Sequence, residues 1–142
     1  MPTGAGNWSH FAHQADIGLA GSAPTLEAAF EQVAMAMTGV ITDPGLVAPR
    51  ERVDVHCGAP DPEMLLVEWL NALIFEMATR DMLFGRYEVH IEGSRLRGAA
   101  WGEPVSRERH KPAVEIKGAT YTALAVQQCE NGHWTARCVV DV

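Results

Sequence analysis

The stretch from Asp61 to Arg80 constrains this chain more tightly than any other, because nearly every signal for a buried helix falls together there. Asp61 suits an N-cap, Pro62 fits the first helical position, and Glu63 favours the positive end of the helix dipole. Leu66, Trp69, Leu70, Leu73, Ile74 and Met77 recur at helical spacing, and Leu65, Val67 and Phe75 widen the stripe until the middle of the helix is apolar nearly all round. A helix of this kind needs cover on its flanks as well as its main face. We therefore expect a core helix packed against a sheet.

The rest of the chain supplies that sheet. Trp8 to Leu19 reads as an extended opening strand, with a turn region at Gly18 to Gly21. Behind Pro24, Thr25 can cap a first helix whose stripe is Leu26, Phe30, Val33, Met37 and Val40 with Ala29 and Ala34, and Asp43-Pro44-Gly45 stops it. Val53, Val55 and Cys57 alternate with Asp54 and His56 as a half-buried strand. After Met82 the period is two: Tyr87, Val89 and Ile91 alternate, Arg95 to Trp101 is a weaker strand interrupted by glycine, and Val114 to Gln127 reads as one long strand. Asn131-Gly132 marks a hairpin before the last alternating run, Trp134, Ala136 and Cys138. The order β-α-β-α-β-β-β-β implies an α+β fold of two layers, a mixed or antiparallel sheet of about six strands with two main helices on one face. No repeat or boundary divides the chain, so one domain over 1–142 is expected.

The chain has 142 residues, 47% of them apolar and 20% charged, which suffices for one core without a metal or disulfide staple. Its 18 acidic against 11 basic residues give a net charge of −7. That sign argues against direct nucleic-acid binding and fits a cationic partner or a divalent cation. Cys57, Cys129 and Cys138 make an odd set without a C-x-x-C pair, so a reducing compartment is the simpler reading and the thiols are expected to pack. Neither a signal peptide nor an apolar run of membrane-spanning length is legible, and a cytoplasmic protein without a membrane partner is expected.

Six histidines suggest a metal centre, but a strand sends His10 and His13 to opposite faces, and no His-Glu-x-x-His or paired-cysteine motif is present. A surface or core role is the simpler reading for each, with His13 retained because it lies close to Asp16. Asp16 alone reads as a turn-forming residue before a glycine. Asp141 follows an apolar strand and precedes only Val142 with its carboxylate, so negative groups crowd on successive residues. If the first and last strands are neighbours, the carboxylates of Asp16, Asp141 and Val142 converge, a set of hard oxygen donors suited to Ca²⁺, Mg²⁺ or Mn²⁺ and poorly suited to zinc. A frayed terminus is the plain alternative, but the last residues are mostly apolar and are expected to dock. Lys117 stands in an apolar strand context, where it either faces water or answers nearby carboxylates. Ser9 and Thr120 lack a nucleophile elbow, and no phosphate-binding glycine loop occurs, so neither a catalytic nucleophile nor a nucleotide site is indicated.

Several segments in order resemble one family. They are His13-Gln14-Ala15-Asp16-Ile17-Gly18, Pro24 to Phe30, Val40-Ile41-Thr42-Asp43, Leu65-Leu66-Val67-Glu68-Trp69-Leu70-Asn71, Gly102-Glu103 with His110, Ile116 to Tyr121, and the ending Val139-Val140-Asp141-Val142. Their order and spacing are similar to those of the archease family over nearly all of the chain after Trp8. The resemblance implies a non-catalytic activator of RtcB-type RNA ligases, which join RNA ends in tRNA splicing and RNA repair. Such an activator promotes guanylylation of the ligase from GTP and keeps it turning over. It also implies a divalent-metal site at Asp16, Asp141 and Val142, with Ca²⁺ as the expected ion, and it raises Lys117 as a contact to the partner and His13 as packing or as support for the ligands. Thr122 stands where many members are expected to carry histidine. The competing expectation is a chaperone-like adaptor whose metal only docks the C-terminus. A free-standing metal-dependent hydrolase would need a pocket and a base that the sequence does not offer.

Overall fold

The computed structural model describes residues 6–142, and in it the first helix, α1 (Leu26–Ile41), has no exposed residue. Thr25 caps it as expected, its side chain accepting from the Ala28 N–H. Small residues explain the enclosure: Ala28, Ala29, Ala34 and Ala36 are all buried, so layers on both sides can approach the helix axis closely. Two antiparallel sheets do so, and α1 packs on both. One sheet has five strands. These are β1 (Asn7–His13), β2 (Asp16–Ala23), β6 (Gly118–Ala119), β7 (Ala125–Gln128) and β8 (Trp134–Asp141), in the order β1-β2-β8-β6 with β7 also on β8. The other sheet has three, β3 (Glu51–Gly58), β5 (Arg95–Pro104) and β4 (Met82–Glu92), in the order β3-β5-β4. The α+β class is as expected; the single sheet of about six strands becomes eight strands in two sheets.

The second helix, α2 (Pro62–Arg80), begins as the sequence indicates, with the Asp61 carboxylate accepting from the Met64 N–H at 2.8 Å. Its Trp69 is fully buried and donates from Nε1 to the Phe30 carbonyl of α1, tying the two helices. The expectation of cover all round holds for Leu65, Leu66, Val67, Leu70 and Leu73 but not for Phe75, which is 62% exposed. The more enclosed helix is α1; α2 also meets both sheets, through β3–β5 and through β6–β8, but keeps one face with Glu68 and Phe75 open to solvent.

Two further expectations change. The opening segment is not one strand ending in a glycine turn. It is a tight hairpin of β1 and β2 that turns at Gln14-Ala15, with His13 opposite Asp16. Gly18 and Gly21 lie inside β2, and they serve close approach instead of reversal. A Cβ on Gly18 would lie 2.3 Å from the Phe11 ring, and one on Gly21 would lie 2.8 Å from the Ala29 carbonyl of α1. The long strand expected over Val114 to Gln127 is also broken. Within it β6 and β7 are the parts that pair with β8, because Thr120 turns both its N–H and its hydroxyl onto the Val139 carbonyl, and the Thr122 N–H then bonds the Thr120 hydroxyl. A short helix, α3 (Arg107–His110), connects β5 to this region.

Candidate functional site

A cross-strand row at one end of the five-stranded sheet gathers most of the residues singled out by sequence. His13 lies opposite Asp16 in the hairpin, Ile17 lies opposite Val140, and Gly118 lies opposite Asp141. One step beyond Ile17 and Val140, the same register sets Asp16 beside Asp141. Opposed residues of an antiparallel ladder share a face, and neighbouring strands are about 4.8 Å apart. His13, Asp16 and Asp141 thus form a row across three adjacent strands. The alternating positions Leu19, Cys138 and Val140 are buried in the core, which assigns the row to the outer, solvent-side face.

The other two candidates join this end. Val142 packs partly against the core, so its side chain anchors the residue that follows Asp141. The Lys117 N–H donates to the Asp141 carbonyl at 2.8 Å while its side chain is exposed. The hairpin turn itself is strained: Gln14 has φ 54°, a left-handed conformation that favours glycine. Thr122 lies in the exposed turn after β6. His10 stands apart, its Nε2 2.7 Å from the Ala36 carbonyl of α1.

Ion pairs among the described residues lie elsewhere, joining Glu103 to Arg50, Arg109 and His110, Asp54 to Arg52, Glu76 to Arg80 and Glu88 to His90. Asp16, half-buried, and Asp141, exposed, are in none of these pairs. Among the described residues no group of three His, Cys, Asp and Glu side chains has the arrangement to hold a metal ion. A cation here would rest on two aspartates with the Val142 carboxylate and water. Such an all-oxygen set has the chemistry of a hard divalent ion.

A second carboxylate, buried and fully engaged, was not assigned a role from sequence. Glu103 is 2% exposed and His110 is 1% exposed. Glu103 Oε2 accepts from the Ala48 N–H at 2.8 Å, from His110 Nε2 at 2.9 Å and from the Arg109 guanidinium. His110 Nδ1 accepts from the Ser106 N–H at 2.9 Å, which fixes the proton on Nε2. The Arg109 hydrogen bond, with those from Ala48 and His110, holds the Glu103 carboxyl down at about 2. Period-two patterning identifies a strand here but cannot distinguish a buried glutamate from a surface one.

Of the thiols, Cys138 is buried, Cys57 half-buried and Cys129 exposed, so packing describes the first two only. Burial pushes Cys57 and Cys138 up to about 11, which leaves both as unreactive thiols near neutral pH. Among the described residues no helix is long and apolar enough to cross a membrane.

Comparison with known proteins fits this geometry. The model of the Archease protein family (MTH1598/TM1083) matches residues 8–142. The chain belongs to the archease family. Curated relatives named "Protein archease" include those of Pyrococcus furiosus, 35% identical over 139 residues, and Thermococcus gammatolerans, 37% identical; each match covers 95% of this chain and 98% of the relative. The solution structure of Methanobacterium thermoautotrophicum protein 1598 aligns with a TM-score of 0.83 at 33% identity, covering 96% of this chain and 99% of that one. The matched names are not those of enzymes, and archease membership supports a role as a protein activator or chaperone-like factor. The archease-like segments quoted from the sequence are separate along the chain and meet in the fold. The hairpin His13 to Gly18 pairs with the ending Val139 to Asp141. Asn71, at the end of the α2 segment, accepts from the Ala119 N–H of β6 at 2.9 Å.

Proposed function

We propose that this archease is a non-catalytic, cytoplasmic activator of an RtcB-type RNA ligase, with the end of the sheet around Asp16 and Asp141 as its working part. The observation that carries this reading is the outward row of His13, Asp16 and Asp141. Among the described residues neither of its aspartates forms an ion pair. Groups left uncompensated at a rigid strand end are disposed to meet charge that another molecule brings. Asp16, Asp141 and the Val142 carboxylate would hold a divalent cation, Ca²⁺ being the expected one, and a bound hard cation supplies positive charge for ordering phosphate oxygens. Lys117, exposed beside Asp141, would meet an acidic group of the ligase. His13 would orient Asp16 across the hairpin. In this reading the ligase, with GTP, performs the guanylylation, and the archease end completes the arrangement in which it occurs.

The test is single-turnover guanylylation of a cognate ligase with GTP. Asp16→Ala and Asp141→Ala are each expected to slow it about tenfold or more, equivalent to about 1.4 kcal/mol. Activation by both variants at the wild-type rate would remove the sheet end as the working part.

The exposed aromatics Phe75 and Tyr121, at 62% and 64% exposure, favour a second reading as a chaperone-like adaptor. That reading expects activation to survive loss of the cation while stability falls, so the same assay run with and without chelator separates the two.

A further inference from the structure

The segment that brings Lys117 to the sheet end has little structure of its own. After β5 it is attached by the Val105 N–H to the Asp81 carbonyl at 3.0 Å, forms the single turn of α3, and then runs irregularly from Lys111 to Lys117. Beyond α3 it is held by the Ala113 N–H to the Ile41 carbonyl at 2.8 Å, the Lys117 N–H to the Asp141 carbonyl at 2.8 Å, and the Ala119 N–H to Asn71 Oδ1 at 2.9 Å, with β6 paired to β8. Between Lys111 and Lys117 the buried side chain is Ile116. Burying one isoleucine does not offset the conformational entropy lost in ordering a run of this length. The irregular run is therefore held chiefly by its bonds at Ala113 and Lys117 and by His110 at its upstream end.

At the upstream end stands the Glu103–His110 pair. His110 is tied at three atoms: Nε2 to Glu103, Nδ1 to the Ser106 N–H, and its carbonyl to the Thr42 hydroxyl at 2.5 Å. The segment leaves this point through Lys111 at φ 46°, and beyond β6 it passes Ala123 at φ 52°. A non-glycine residue in the left-handed region is unfavourable and persists only where its surroundings over-determine it. From Ala113 to Lys117 the chain can reach about 14 Å at most, so the anchored points at His110, Ala113 and Lys117 are joined by short connections.

We infer that Glu103 and His110 are positioning residues for the sheet end: together they lock the root of a strap over residues 105–119, and that lock sets where Lys117 meets Asp141. The functional consequence rests on the reading of Asp16 and Asp141 proposed above; the mechanical statement does not.

Amide hydrogen exchange on the full chain, read by NMR, tests the lock. In Glu103→Gln and in His110→Phe, the Lys117 and Ala119 amides should exchange roughly tenfold faster or more, while the β2–β8 ladder keeps its wild-type protection. In His110→Gln, which can still donate to Glu103, exchange should fall back towards the wild-type rate, and wild-type imidazole ¹⁵N shifts should report the Nε2–H form. Unchanged exchange at Lys117 in folded Glu103→Gln and His110→Phe would overturn the inference. His110→Gln exchanging as fast as His110→Phe would overturn the part given to the Nε2–H bond. Should both lock variants fail to fold, Thr42→Val removes only the hydroxyl bond to the His110 carbonyl. It should raise Lys117 exchange about threefold or more, and no change would again overturn the lock. Wild-type guanylylation by Asp16→Ala and Asp141→Ala would sink the functional reading while leaving the exchange result standing.

Discussion

Glu103 and the Asp16–Asp141 row place the same functional group in opposite surroundings. Glu103 is buried and receives three donors, so its charge is spent inside the protein. Asp16 is half-buried and Asp141 exposed, on adjacent strands, and among the described residues neither forms an ion pair. A buried carboxylate must be satisfied internally or its desolvation destabilises the fold. A carboxylate at a strand end keeps its water and remains available to an external cation. The difference teaches which acids of this −7 chain serve the fold and which are free to serve a partner.

The comparison is broken most directly at Glu103. Glu103→Ala leaves Arg109, His110 and the Ala48 N–H without their acceptor, and it should lower the thermal midpoint more than any substitution at Asp16 or Asp141; a tip variant that melts lower would reverse the assignment. The same group sets a pH dependence. Its carboxyl is held at about 2 against an ordinary 4.5, so the folded state binds fewer protons than the unfolded state in between. Glu103 thus contributes stability that is fully present above about 4.5 and is lost as pH falls towards 2. Urea titrations should therefore show the gap between wild type and Glu103→Gln narrowing across that acid window and constant between pH 6 and 8.

Calcium sharpens the other side of the comparison. If the sheet end holds the cation, Ca²⁺ at about a hundred times its dissociation constant should stabilise the wild type by about 2.7 kcal/mol, and Asp141→Asn should lose that gain. A midpoint indifferent to millimolar Ca²⁺ would count against the site. The smallest effect is expected at Ala123. Ala123→Gly relieves a left-handed alanine worth roughly 1–2 kcal/mol but adds unfolded-chain entropy, so a net stabilisation below about 1 kcal/mol should appear in the same titration.

Much of this was legible locally. The caps at Thr25 and Asp61, the stripe of α1 and the alternation of β4 and β8 follow from spacing and side-chain chemistry, and the structure keeps them. Asp16, Asp141 and Val142 could be nominated because charge crowding at an apolar chain end is visible in the sequence. The errors have a common origin. Gly18 and Gly21 read as a turn because glycine frees the backbone, yet their role is to admit Phe11 and α1, neighbours that local sequence does not specify. Phe75 read as covered because an apolar residue on a crowded stripe usually is, and only the packing of α2 between its neighbours leaves Phe75 on the open face.

The sequence alone determined where α1 and α2 begin and run and that β3, β4 and β8 alternate, because periodicity and capping act over a few residues. Tertiary structure alone decided that the strands form two sheets around α1, that Asp16 falls beside Asp141 across β2 and β8, and that Glu103 is sealed against His110. Those outcomes depend on register and burial between segments tens of residues apart, where a single step along a strand moves a side chain from solvent to core.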